Sequence, residues 1–567
     1  VPAPDFGTPQ PPVGTPAGPL AGTAGGNPVG DVKAMVEPDL PRAVTYATLR
    51  PWIQVTDNIA YNQGLMIESL AQQLINRRLE AKARAGGSYL MAQVRKDDVS
   101  RSVDGTFVSV TPLGEDWRSA VRDVRAVLAD AMAHPPTEAE IERETAEMDI
   151  AFQVPVEQKR LLPGTKVADD LVTAVDIREA VAAPDDVLDI FRRSIPLFTP
   201  AAVLEKTRAL FTGVVARAIM VTPRQGEADE ASLRRALSEP VTADGGARLA
   251  FAPVRFDEMP PIGKPVAPVS VVPTGVLDIE QAEFANGVKV LLWPSKDEPG
   301  RLTAKVRFGG GYRVFQGGDA PYIALGEMAL VGSGVGSLGQ EELDRISTGR
   351  KMGFEFSIED TSFEFSAETR PADLADQLYL FAAKFATPRW DANPVTRAKA
   401  ALRMQYEAFS TSPQGMLERE LRFLQKDRDP RYRTPTPAEI AAATPEGFRA
   451  VWKRALASGP IEVQLFGDFD RDSALQALGR SFGALTKRVP LPADAAPATA
   501  RFPAATSAPV VLTHRGAADQ AAAIVSWPTG GGLAGVRESR QLEILSQPLS
   551  NPPLDAIREE IITSLSS

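Results

Sequence analysis

The chain of 567 residues contains no cysteine and only two histidines. Lack of cysteine excludes disulfides, thiolate metal sites and a cysteine nucleophile together. His134 and His514 stand far apart in sequence, so no motif with paired imidazoles is present. His134 falls in Ala133-His134-Pro135-Pro136, a helix-ending turn, and His514 lies beside a predicted strand. Both read as surface or turn residues. An excess of basic charge is also missing. Lys and Arg number 62 against 72 Asp and Glu, a formal charge of -10. The cations are scattered among acids, which excludes a nucleic-acid-binding stripe. No apolar run approaches the roughly eighteen residues of a membrane span. Gly309-Gly310-Gly311 and Gly530-Gly531-Gly532 lack the spacing of a phosphate loop or dinucleotide fingerprint. Gly332-Ser333-Gly334 lacks that of a nucleophile elbow. The carboxylate pair Glu341-Glu342 reads as a solvated helix start. Neither an initiator Met nor a signal-peptide pattern precedes Val1, which suits a chain processed or excised from something longer.

What remains is ordinary globular composition, 44% apolar and 24% charged, in a chain long enough for three or four domains. Residues 1–30 hold eight Pro and seven Gly. They read as an extended linker following another domain, or as a disordered extension. Pro-rich shifts over 246–274 and 486–505 read as further linkers. They divide the rest into 31–245, 275–485 and a short final block, 506–567. Within the first block, β-rich 44–49 precedes a helical face bearing Met66, Leu70, Leu74 and Ile75. A strand at 106–110 precedes a helix with Trp117, Val121, Val124 and Leu128 on one face. In the second block, Asn286-Gly287 between β-prone runs signals a hairpin. Residues 354–358 and 362–366 alternate apolar and polar, as half-buried antiparallel strands do. Thr199-Pro200 opens a helix leading to a strand at 218–221, and Thr444-Pro445 opens one leading to 461–466. Leu70 to Leu79 and Leu545 to Leu554 also match in spacing. Together these predict an α+β fold of repeated domains, antiparallel sheets packed with helices, the last domain truncated.

Phe284-Ala285-Asn286-Gly287-Val288, the glycine-marked strand end Phe308-Gly309-Gly310-Gly311-Tyr312, Met328-Ala329-Leu330-Val331-Gly332-Ser333 and the closing Gly467-Asp468-Phe469 form one set. With them, block 283–469 resembles the first domain of the insulinase/pitrilysin zinc protease family. In that family a helix just before the Met-Ala pair carries H-x-x-E-H, two imidazoles on one ion with a Glu to activate its water. Aligned on Met328, the motif positions hold Ile323, Ala324, Leu325, Gly326 and Glu327. Neither His is present, so this copy is degenerate and the chain binds no metal through the motif. Four-domain bacterial members carry zinc in domain one and degenerate repeats behind it. The resemblance, supported by Gln73-Leu74-Ile75-Asn76-Arg77-Arg78-Leu79-Glu80, makes 31–245 domain two, 275–485 domain three and 506–567 the start of domain four.

The resemblance further implies a domain-four Arg and a Tyr seven residues later that polarise the scissile carbonyl. Asp555-Ala556-Ile557-Arg558-Glu559-Glu560 places Arg558 at the Arg position, and Leu565 stands where the Tyr belongs. Two readings follow. In one, the chain is the zinc-free portion of a zinc endopeptidase, forming the wall of a peptide chamber and interdomain contacts. An absent H-x-x-E-H domain or subunit supplies the zinc, and the peptide substrate adds to a sheet edge. In the other, it is a catalytically dead homologue acting as scaffold or partner subunit. In either case no catalytic residue lies in this chain. Lack of cysteine suits an exported, periplasmic setting.

Overall fold

The computed structural model describes residues 30–546 except 39, 54, 56, 100–102, 178–180, 214, 249–253, 498–500, 507 and 528–534. Arg558 and all of the Leu545 to Leu554 match beyond Ser546 lie outside them. An N lobe is built on five strands, β1 (Asp31–Val36), β2 (Ala43–Pro51), β3 (Tyr89–Val99), β4 (Val103–Pro112) and β5 (Val215–Thr222), in the order β1-β5-β2-β4-β3. Its helices are α1 (Ile59–Arg84), α2 (Trp117–Ala133), α3 (Glu138–Glu157), α4 (Gly164–Ile177), α5 (Pro184–Ser194), α6 (Pro200–Leu210) and α7 (Glu230–Ser238). The helical period predicted along α1 is real. Leu70, Leu74 and Ile75 are buried against Val94, Val108 and Val110, with Met66 at the margin. Trp117 starts α2 in the same core, beside Val121, Val124 and Leu128.

The C lobe has seven strands. They are β6 (Ser270–Pro273), β7 (Glu280–Glu283), β8 (Lys289–Pro294), β9 (Leu302–Phe308), β10 (Glu355–Ile358), β11 (Phe363–Thr369) and β12 (Ile461–Gly467), in the order β10-β11-β9-β12-β8-β7-β6. Its helices are α8 (Ala320–Val331), α9 (Gln340–Ser347), α10 (Leu374–Ala386), α11 (Ala392–Phe409), α12 (Pro413–Gln425), α13 (Pro437–Ala442), α14 (Pro445–Ala455) and α15 (Arg471–Arg480). The Asn-Gly signal closes the antiparallel β7–β8 hairpin. Gly287 has φ +88°, a conformation costly for other residues. The Asn286 amide donates to the carbonyls of Phe482, Gly483 and Leu485, so the turn also ties down the far end of the lobe.

The two lobes repeat one another. β1-β5-β2-β4-β3 and β8-β12-β9-β11-β10 share order and pairing sense: the first pair is parallel and the rest antiparallel. The sheets are therefore mixed, which corrects the expectation of antiparallel ones. β5 and β12 come back only after a long helical excursion, the connection a parallel neighbour requires. In both lobes that excursion ends on the Thr-Pro helix seen in the sequence. Thr199 caps α6 before β5 and Thr444 caps α14 before β12, each accepting from a backbone N–H.

The Pro-rich runs do not hang free. Tyr379 donates to the Pro260 carbonyl at 3.0 Å, Val266 N–H donates to Gly479 O, and Met259 is buried among Val335, Leu343 and Leu380. Further on, Arg488 donates to Gly459 O, and Arg313 and Ala496 exchange two bonds. The strand predicted beside His514 is not formed. Residues 508–527 carry no strand, and Val511 and Trp527 are 78% and 76% exposed. A β-prone run pairs only where another strand edge is offered, and no described strand lies alongside.

Candidate functional site

α8 carries Ile323, Gly326 and Glu327. It lies between β9 and β10, followed by α9, as α1 lies between β2 and β3. Ile323 is 4% exposed and belongs to the main core cluster. Gly326 is buried under the Trp452 indole, and a Cβ added there would fall 2.0 Å from Trp452 Cζ2. The indole N–H donates to the Tyr322 carbonyl at 2.8 Å. Rings of Phe315, Phe356, Phe363 and Phe448 surround Trp452, with centroids 5.2–6.1 Å away. Space that a water-activating carboxylate would need is filled by hydrocarbon. Glu327 points outward, exposed, and accepts one long bond from Ile358 N–H at 3.4 Å. Among the described residues, no group of three or more His, Cys, Asp or Glu side chains could hold a metal ion. His134 caps the end of α2, its backbone N–H donating to Asp130 O and its Nδ1 3.0 Å from the Asp130 carboxylate, and His514 Nε2 lies 3.0 Å from Gln520 O.

Beside the exposed edge of α8 stands a polar and aromatic cluster that sequence reading missed. Tyr312 and Tyr432 stack with centroids 4.2 Å apart, and the Arg422 guanidinium lies 4.5 Å and 5.1 Å from their ring centres. Arg422 donates to the Tyr312 hydroxyl and to Asp360. Burial pushes both phenols above their ordinary range. At Asp360 burial opposes the carboxylate, but Lys426 and Arg422 hold it below the usual value. The phenols therefore stay protonated and Asp360 stays ionised. Asp427 and Arg428 follow α12 with φ +53° and +56°, a strained pair for non-glycine residues. The glycine-marked strand end was the one signal in the sequence, since it delivers Tyr312; Tyr432 is more than a hundred residues distant.

A second missed residue is Lys384 on α10, which is 7% exposed. Its ammonium donates to the carbonyls of Val331 and Ser333 and to Gln340, and lies 4.7 Å from the centre of the Phe354 ring. It thereby ties the end of α8 to α9. Burial lowers its pKa to about 7.

Glu341 corrects the reading of a solvated carboxylate. It binds Arg143 of the N lobe at 3.0 Å, while Glu342 caps α9 through Gly339 N–H. Arg84 pairs with Asp344, Asn393 donates to Arg84 O, and Arg397 donates to Leu90 O. The lobes meet through charge.

No family model matches the sequence, and no curated protein matches it. Solved structures do. The chain is similar to the ferredoxin protease FusC, solved in complex with Arabidopsis ferredoxin, with a TM-score of 0.53 and 13% identity, over 81% of this chain and 52% of that one. The fold is that of the insulinase/pitrilysin-type peptidases. Pitrilysin gives a TM-score of 0.46 at 13% identity, over 80% of this chain and 47% of its own. The periplasmic protease PqqL from Escherichia coli gives 0.39 at 17%, over 83% and 52%. The chain spans about half the length of these structures. In this chain α8 packs Ile323 and Gly326 into the core of the C lobe.

Proposed function

We propose that this chain is the zinc-free part of a zinc-dependent endopeptidase, a chamber-wall module of insulinase/pitrilysin type. In this reading 31–245 and 275–485 are its second and third domains and 506–567 begins a fourth. Peptide hydrolysis belongs to an H-x-x-E-H domain or subunit, which brings the zinc and the base. One observation carries the reading: an α8 whose motif face is closed by Trp452 and Ile323, inside an otherwise intact repeat of the peptidase fold. Such a module gives shape and sheet edges, β3 and β10 among them, along which an extended peptide can add a strand. Arg558 as a donor toward the scissile carbonyl is part of the same proposal. So is an exported setting, which rests on the cysteine-free composition. Among the described residues no helix is long and apolar enough to cross a membrane.

The test uses the purified chain, incubated with excess zinc sulfate and dialysed. Elemental analysis is expected to find no stoichiometric zinc, and a quenched fluorogenic peptide is expected to stay intact. Fusion or mixing with the H-x-x-E-H domain of a pitrilysin-like peptidase is expected to give chelator-sensitive cleavage above that of the zinc domain alone. Metal-dependent turnover by the chain by itself overturns the proposal.

A further inference from the structure

A cavity of about 500 Å³ lies where the lobes meet. Leu90 of β3, Met328 and Val331 of α8, and Pro394 and Ala398 of α11 give it mostly apolar walls, and Arg84 and Arg397 reach it from opposite lobes. Both its size and its place between two lobes are those of small-ligand sites.

The charges around it are unevenly matched. Glu341 is held by Arg143, Glu342 by Arg345 and Asp391 by Arg389. Arg84 is shared among Glu80, Asp344 and Glu341. Arg397 is different. Its two Nη groups donate only to backbone carbonyls, of Tyr89 at 3.4 Å and Leu90 at 2.5 Å, and among the described residues no carboxylate makes an ion pair with it. A guanidinium has five N–H donors, so three are left for something else. Desolvation and the like charge of Arg84 work against the Arg397 cation and outweigh the Glu80 carboxylate, which favours it, and a ligand anion would offset them. A planar fork with free donors beside hydrocarbon matches a carboxylate attached to an apolar chain.

We propose that this cavity binds an amphiphilic carboxylate, its head on Arg397 and its apolar chain against Leu90, Met328 and Val331. A fatty acid and the free C terminus of an apolar peptide share that chemistry. The site is independent of the reading given under Proposed function.

Titration calorimetry of the full chain with decanoate and with acetyl-leucyl-leucine, each against its neutral amide, separates the cases. At least one carboxylate is expected to bind roughly tenfold or more tighter than its amide, the value of a hydrogen-bonded charge. Tighter decanoate assigns the site to a fatty acid, and tighter dipeptide assigns it to a peptide end. Arg397→Gln is expected to erase the preference and Arg397→Lys to keep part of it. Should Arg397→Gln fail to fold, Met328→Trp fills the cavity from a half-exposed position and is expected to abolish binding. Equal binding of acid and amide, no binding of either, or unchanged binding by Met328→Trp overturns the proposal.

Discussion

Gly326 and Trp452 exclude one another as neighbours unless position 326 is glycine, because any Cβ there would sit 2.0 Å from the indole. Gly326→Ala is therefore expected to destabilise the C lobe by about 1–3 kcal/mol, the usual cost of overpacking a closed core. Gly326→Glu, which puts a glutamate where the proposed alignment places the family's, is expected to cost more, since it also buries a charge. Denaturant midpoints measure both. A wild-type midpoint for Gly326→Ala would mean that Trp452 does not cover this helix.

Restoring the whole motif follows the same logic. The triple variant Ile323→His, Gly326→Glu, Glu327→His places ligands on α8, but two of the three positions point into packed hydrocarbon. It is expected to take up no stoichiometric zinc in elemental analysis. Trp452→Ala makes room, at a cost of about 3–5 kcal/mol for the lost ring, and zinc uptake is expected only in that background, if the lobe survives. Zinc in the triple variant alone would contradict the packing.

Local signals in the sequence translated directly. Asn286-Gly287 is the hairpin, and the two Thr-Pro caps mark equivalent helices in two lobes. The repeated α+β fold was legible because these signals are set within a few residues. Sheet order was not, because it depends on pairings such as β1 with β5, which join segments about 185 residues apart. The helix bearing Ile323, Gly326 and Glu327 was legible from the resemblance; what packs on it was not, since Trp452 comes from α14. Glu341 looked like a solvated helix start because its partner, Arg143, lies 198 residues upstream.

Arg143 and Glu341 also hold the lobes together. The Arg143 side chain is 5% exposed and Glu341's 30%, and Arg143 Nε and Nη2 have no partner. Glu341→Ala leaves a buried cation uncompensated. It is expected to cost about 2 kcal/mol, below the range for fully buried pairs because Glu341 is partly solvated. The double variant Arg143→Met, Glu341→Met removes both charges and is expected to recover most of the loss. Chemical denaturation with this pair of variants decides the matter: a double variant as weak as the single one means the interface does not depend on this charge.

Lys384 gives a pH dependence whose sign is fixed by its burial. Its folded pKa is lowered to about 7 against the ordinary lysine value of 10.5. Between those values the unfolded chain binds more protons than the folded one, so stability rises with pH across that window; below it both states are protonated and the contribution is flat. The rise is expected to reach about 2 kcal/mol between pH 7 and pH 9, from roughly 1.4 kcal/mol per tenfold change in proton activity. Lys384→Met removes the titrating group while leaving the carbonyls of Val331 and Ser333 without their donor. The variant is thus expected to lose the slope, and its stability relative to wild type to fall as pH increases. Urea midpoints of both proteins at several pH values measure this. Parallel curves would mean that Lys384 keeps its proton in the fold, held by the helix-end carbonyls against the cost of burial.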